Sequence, residues 1–253
     1  MNNKTLPHEQ KILLENIDYL KLAFIREHYE AEAAQAAQKE HSHVTYLSRL
    51  LEGEAQMRQE RSIERRIKMA RFPLIKTIEE FNWDWPKKIN RMQVQDLFRL
   101  SFIDQKANVI IVGGVGLGKT HLATALGYSA CMAGHTVLFA SAMDIINTLS
   151  AARKSGQLSQ MLKRYLRPAL LVVDELGYLP IDKTGADLLF QVISRRYENG
   201  SIVLTTNRIF KKWPEIFNND STLTSAVLDR LLHHAQTLMI EGDSYRMRDR
   251  IES

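Results

Sequence analysis

NVIIVGGVGLGKTHLA, residues 108–123, decides the fold. It opens with a β-branched apolar run, passes through four glycines within six positions, and ends on Lys119-Thr120 followed by good helix formers. The run Asn108–Gly113 reads as a buried strand, and the segment from about 118 reads as a helix. Gly113 to Thr120 matches G-x-x-x-x-G-K-[ST] in full. Glycines at this turn let the backbone curl so that successive N–H groups converge on phosphate oxygens, and the helix that follows adds its positive end. Lys119 then supplies a full charge for β- and γ-phosphates, and Thr120 a hydroxyl for Mg²⁺.

Working outward, the same texture repeats. HTVLFAS (135–141), ALLVVDE (169–175), SIVLTTN (201–207) and TLMIEG (237–242) read as further strands, with a helix over 184–198. Short apolar strands alternating with helices predict an α/β fold, a five-stranded parallel sheet covered on both faces.

Upstream the pattern differs. Residues 9–71 contain one glycine, Gly53, and no strand-like alternation. Leu13, Ile17, Leu20 and Phe24 recur on one helical stripe, His41, Ser42 and His43 interrupt, and a second helix runs over roughly 44–71 up to Pro73. The expected organisation is a small all-helical domain over 1–72, an aromatic connector over 73–100 and an ATPase domain over 101–253. The connector holds Phe81, Trp83, Trp85 and Pro86 before Lys87-Lys88. It reads as a strap docked on the following domain, or as a segment touching adenine or DNA.

Composition bounds the rest. Among 253 residues, 34 Lys+Arg against 29 Asp+Glu give +5, which permits an acidic partner without naming one. Hydrophobic residues at 45% exclude wholesale disorder. The single Cys131 excludes an internal disulfide framework and suits a cytoplasmic setting. No apolar run approaches the roughly 20 residues of a membrane span.

Three further groups belong with the phosphate loop. The strand 170–173 leads into Asp174-Glu175, placing carboxylates at the sheet edge where open α/β folds bind ligands. Asp174 with Thr120 is the expected Mg²⁺ pair, and Glu175 the general base for an attacking water. Asn207, at the end of 201–207, can reach the γ-phosphate and that water. Arg195, Arg196, Arg230 and Arg246 are candidates for stabilising charge on the transferred phosphoryl group. Arg230 precedes the last strand and Arg246 follows it, while Arg195-Arg196 read as structural or DNA-facing. His233-His234 and His41/His43 lack the spacing and acidic companions of a metal site, and Cys131 reads as a core residue.

GGVGLGKTHLA (113–123), LLVVDELGYLP (170–180), IVLTTN (202–207), LDRLLHHA (228–235) and GDSYR (242–246) together resemble the IstB-like ATPases, helpers of insertion-sequence transposases related to the DnaC and DnaA branch of AAA+ proteins. The resemblance runs over essentially the whole chain. It implies an AAA+ P-loop module behind a helical N-terminal domain, ATP and Mg²⁺ as cofactors, homo-oligomerisation through ATP, duplex DNA bound with little sequence preference, and a cognate transposase as partner. The implied ATP-contacting set is Gly113, Gly114, Val115, Gly116, Leu117, Gly118, Lys119, Thr120 and His121. Asn207 falls at the sensor position, Arg230 at the arginine finger acting in trans, and Arg246 at a second sensor arginine. Eleven residues follow Gly242, too few for the usual helical lid, so the lid is expected to be absent or vestigial.

Residues 58–71 hold six basic residues against two acidic ones. Arg61, Arg65 and Lys68 fall on one helical face, so Arg58, Arg61, Arg65, Arg66 and Lys68 are the candidate DNA contacts, suited to phosphates rather than base edges. Two other readings share the phosphate loop: a replicative helicase loader of the DnaC type, and a metabolic kinase. The paired acids and Asn207 argue against the kinase.

Overall fold

A computed structural model describes residues 7–245. The chain divides into two compact units, residues 1–65 and 66–253, with the boundary inside a helix.

The first unit is helical: α1 (His8–Tyr19), α2 (Ala23–Gln38) and the start of α3 (His43–Ala70). The expected single stripe through Leu13, Ile17, Leu20 and Phe24 is broken at residues 20–22. Lys21 takes a left-handed φ of 56°, and the Leu22 N–H closes back on the Ile17 carbonyl at 3.0 Å. This is a helix stop that normally announces itself with glycine, and a lysine hides it. Ile17 is consequently buried while Leu13 and Leu20 are exposed. The small core of Ile17, Ile25 and Leu50 is reinforced by a buried carboxylate. Helix α2 has no side-chain cap of its own. Glu54 from α3 takes that role, accepting from the Phe24 N–H at 2.9 Å at the positive end of the helix.

The second unit is a parallel sheet of β1 (Asn108–Gly113), β2 (Val137–Ser141), β3 (Leu170–Leu176), β4 (Ser201–Thr206) and β5 (Ala235–Ile240), in the order β2-β3-β4-β1-β5. Alternate residues face opposite layers. Ile110, Val112, Leu171, Val173, Ile202 and Leu204 pack with α7 (Ala142–Lys154), α8 (Leu158–Leu166), α9 (Lys183–Arg196), α10 (Trp213–Ile216) and α11 (Ser221–Leu232). Val109, Ile111, Val172 and Val203 pack with α6 (Lys119–Met132), with Val94 of α4 (Arg91–Leu97) and with Phe102 of α5 (Ser101–Asp104). The last strand begins two residues earlier than expected and ends at Ile240. Glu241 instead pairs antiparallel with Lys88 of the connector.

At the N-terminal edge of the sheet, polar groups are buried and nearly all paired. Arg196 is 1% exposed, and its two terminal nitrogens donate to the carbonyls of Tyr165, Leu166, Pro168, Ala169 and Ser201 at 2.8–3.3 Å. Burial pushes its pKa down to about 10, so it stays charged at neutral pH. A Cβ on Gly200 would lie 2.6 Å from this guanidinium. The Asn108 side chain joins β1 to β4, accepting from the Ile202 N–H at 3.0 Å and donating to the Leu231 carbonyl at 3.1 Å.

Candidate nucleotide-binding site

Because every strand is parallel, the C-terminal ends of β1, β3 and β4 open on one edge. The loop after β1 carries left-handed glycines, Gly116 (φ 75°) and Gly118 (φ 82°), the latter at the N-cap of α6. A Cβ on Gly118 would stand 2.7 Å from the Phe81 ring, so this position needs glycine for space as well as for backbone. Lys119 is 8% exposed and donates to the Gly114 carbonyl at 2.6 Å, folded inside its own loop.

Thr120, Asp174, Thr205 and Glu175 form one hydrogen-bonded chain. The Thr120 hydroxyl donates to the Asp174 carboxylate at 3.0–3.1 Å. The Thr205 hydroxyl also donates to Asp174 while accepting from the Glu175 N–H at 2.9 Å. Asp174 is 5% exposed, whereas Glu175 is exposed. A β-bulge separates them. Val173 pairs with Leu204 and Leu176 with Thr206, so two residues of β3 oppose one of β4. Glu175 takes a φ of 61°, a left-handed conformation that costs a non-glycine residue about 1–3 kcal/mol. The bulge thereby turns two successive carboxylates to different tasks, one buried against Thr120 and one facing the cleft.

The cleft has a volume of about 360 Å³, within the range of small-molecule sites. Gly116, Leu117, Gly118, Lys119, Thr120 and His121 line it, with Glu175, Tyr178, Thr205, Thr206 and Asn207. Of the expected ATP-contacting set, Gly113, Gly114 and Val115 lie outside this lining. Asn207 is half-buried, and its Oδ1 is a buried acceptor with no hydrogen-bond partner among the described residues. The connector forms another wall with Lys76, Glu80, Phe81, Asn82, Trp85 and Pro86. It is a docked strap. His121 Nε2 meets the Thr77 carbonyl at 2.8 Å, and Trp85 Nε1 donates to the Asp243 carbonyl at 2.9 Å. The Tyr245 N–H donates to the Gly116 carbonyl at 3.0 Å, and the Tyr245 ring meets Trp85 edge-on.

The remaining candidates scatter. Arg230 lies on α11, outside the cleft, its guanidinium 5.0 Å over the Phe190 ring and donating to the Ala226 carbonyl. Arg195 is exposed, and Arg246 lies outside the described residues. In the first unit Arg58 donates to Glu54 and to the Leu20 and Lys21 carbonyls, which ties down the α1–α2 corner. Arg61, Arg65 and Lys68 are exposed, and Arg66 donates through Nε to the Cys131 carbonyl at 2.9 Å. Cys131 is buried, and burial pushes its thiol up to about 11 against a smaller opposing pull from Arg66. His233 and His234 do have an acidic companion, contrary to expectation. Folding brings Glu198 beside them, with ligand atoms within 4.8 Å of one another, although all three are exposed. Sequence reasoning places Thr205 at the strand end with Asn207 but gives it no role, and it passes over Tyr178. Their only signal is their place beside Asn207 and within DELGYLP.

The profile of the IstB-like ATP binding protein family matches residues 15–253. A protein of Pseudomonas aeruginosa described as an ATP-binding protein of insertion sequence IS21 is 42% identical over 243 residues, covering 96% of this chain and 90% of that one. Its counterpart for insertion sequence IS5376 in Geobacillus stearothermophilus is 41% identical, covering 91% and 92%. Among solved structures, AMPPCP-bound DnaA from Aquifex aeolicus is similar with a TM-score of 0.57 at 23% identity, covering 72% of this chain and 55% of that one. The DnaC helicase loader follows with a TM-score of 0.53 at 23% identity, covering 65% and 96%. With a phosphate loop, a buried Asp beside an exposed Glu, and a profile match over nearly its whole length, this chain belongs to the IstB-like ATP-binding proteins and is an ATPase on an AAA+ fold.

Proposed function

We propose that the chain is the ATP-dependent, DNA-binding regulator of an insertion sequence: it assembles on duplex DNA, recruits and activates its transposase, and disassembles on ATP hydrolysis. The observation that carries the catalytic part is the chain Thr120–Asp174–Thr205–Glu175 beside a cleft that Asn207, with its orphaned oxygen, also lines.

The oxygens fit a hard divalent cation. Thr120 Oγ1 and both Asp174 oxygens converge within about 3 Å, the donor chemistry that Mg²⁺ takes alongside substrate phosphates. Held by Thr120 and Asp174, Mg²⁺ would neutralise charge on the β- and γ-phosphates. The loop N–H groups and Lys119 bind the same phosphates from the other side. Glu175 accepts the proton of the attacking water, and the bulge aims it away from Asp174 so that the two carboxylates do not compete for the cation. Asn207 Oδ1 accepts a hydrogen bond from that water and fixes its line of attack. Thr205, bonded to both acids, holds them in register.

Arg230 acts across the interface. It is absent from its own cleft, and an arginine supplied in trans is worth about 10³–10⁵ in rate. ATP would thus bridge subunits. DNA binding rests on the exposed cations Arg61, Arg65 and Lys68. The helicase-loader reading has fold-level likeness at 23% identity behind it, against insertion-sequence relatives above 40%.

Sedimentation with and without a non-hydrolysable ATP analogue tests the assembly. Wild type should grow in size with analogue and duplex DNA, and Arg230→Ala should stay small. Equal size in all states would remove the proposal.

A further inference from the structure

A second groove lies in the ATPase unit, of about 1130 Å³, beside the N-terminal end of β2. Its lining draws Arg66, Lys68 and Arg71 from one stretch of chain, and Lys163, Arg164 and Arg167 from α8 and the residue after it. Among the described residues no Asp or Glu lines it. The polar remainder, Thr136, Gln157, Ser159 and Gln160, is neutral.

Carboxylates pair with cations elsewhere, with Arg58, Lys76, Lys87, Lys88, Arg91, Arg99 and Arg208. Among the described residues no ion pair reaches Lys68, Arg71, Lys163, Arg164 or Arg167. Arg66 and Arg164 have other neighbours, the Cys131 carbonyl and the Tyr165 ring. The negative end of α8 accounts for Lys163 and Arg164 at its last turn. It does not account for Lys68 and Arg71, which the fold brings in from far upstream. Gathering like charges in one groove costs stability through self-repulsion unless a polyanion relieves it.

We propose that this groove holds the phosphodiester backbone of duplex DNA. The inference rests on the DNA reading above and moves a large part of the binding surface into the ATPase unit, away from Arg61 and Arg65. A polyanion with evenly repeated charges suits a lining that draws long cations and neutral hydrogen-bonding groups, and no acid, from the described residues. The apolar part of the lining is Val137 and Leu138, each 4% exposed, with Pro168 and an exposed Met69. An acidic protein would want an aromatic anchor at the centre, and the ring nearby, Tyr165, is 1% exposed and serves the core. Binding through phosphates alone is indifferent to sequence and falls steeply with salt.

The test is fluorescence anisotropy of a labelled duplex titrated with the full chain and a non-hydrolysable ATP analogue, across a salt series. Lys163→Glu/Arg167→Glu should weaken binding by about 10-fold or more, on duplexes of unrelated sequence alike. It should also flatten the log–log salt slope by about 2, at roughly 0.9 for each phosphate left without its cation. Basal ATP hydrolysis should be unchanged, since neither residue touches the cleft. If that variant does not fold, Lys163→Gln/Arg167→Gln should show the same direction at smaller size. Wild-type affinity and slope in a folded variant would overturn the groove while leaving the DNA reading intact, and would point to a protein occupant. A wild-type chain that does not bind duplex DNA would overturn both.

Discussion

The two edges of the sheet treat buried polarity in opposite ways. At the N-terminal edge, Arg196 satisfies five carbonyls and Asn108 ties two strands and a helix end, so polar groups are consumed in holding the fold. At the C-terminal edge, Glu175 is held in a left-handed conformation, Asn207 keeps an orphaned oxygen, and Lys119 folds onto its own loop. The N-terminal edge spends most of its buried polarity on architecture, although Arg196 Nε makes no hydrogen bond among the described residues. At the opposite edge an orphaned acceptor coincides with a left-handed carboxylate residue and a cleft, and that combination marks chemistry.

Mutations should separate the edges. The largest expected effect is on turnover: Glu175→Gln should lower kcat by about 10²–10⁴-fold, the usual worth of a general base, with thermal stability unaltered and ATP retained. Phosphate release and bound nucleotide measure it, and normal turnover would reject Glu175 as the base. At the other edge, Arg196→Met removes a cation that several buried carbonyls depend on. It should cost about 3–5 kcal/mol by denaturant titration while the folded fraction hydrolyses ATP normally. A stable variant with impaired turnover would collapse the distinction between edges. The smallest effect is the sharpest. Glu175→Gly relieves the left-handed backbone and should raise stability by about 1 kcal/mol while turnover is lost. A destabilised variant would mean that the bulge is not strained.

Much of the catalytic edge is legible in the sequence because its residues are consecutive. A phosphate loop and an apolar strand running into Asp174-Glu175 declare themselves locally. Other features depend on residues far apart in the chain. Nothing near Glu175 announces a bulge, since it arises from the register of β3 against β4. The Arg196 cage needs carbonyls from 165 to 201, and Gly200 shows its purpose only once the guanidinium lies against it. The α1–α2 break is hidden because Lys21 adopts a conformation that sequence reading assigns to glycine. Helices α7 and α8 fall outside the expected elements too, and with them Lys163, Arg164 and Arg167 as neighbours of Lys68. The strap is recognisable as aromatic, but its pairing with Glu241 cannot be seen from either segment alone.

That strap has a consequence for synthesis. Gly116 of the phosphate loop bonds to Tyr245, β1 is flanked by β5, and Lys88 pairs with Glu241. A nascent chain on the ribosome can emerge with its phosphate loop translated and still lack the strand and clasp that hold it. Pairings this distant in sequence form late. The phosphate loop is therefore clasped only once residues 235–245 have folded onto it.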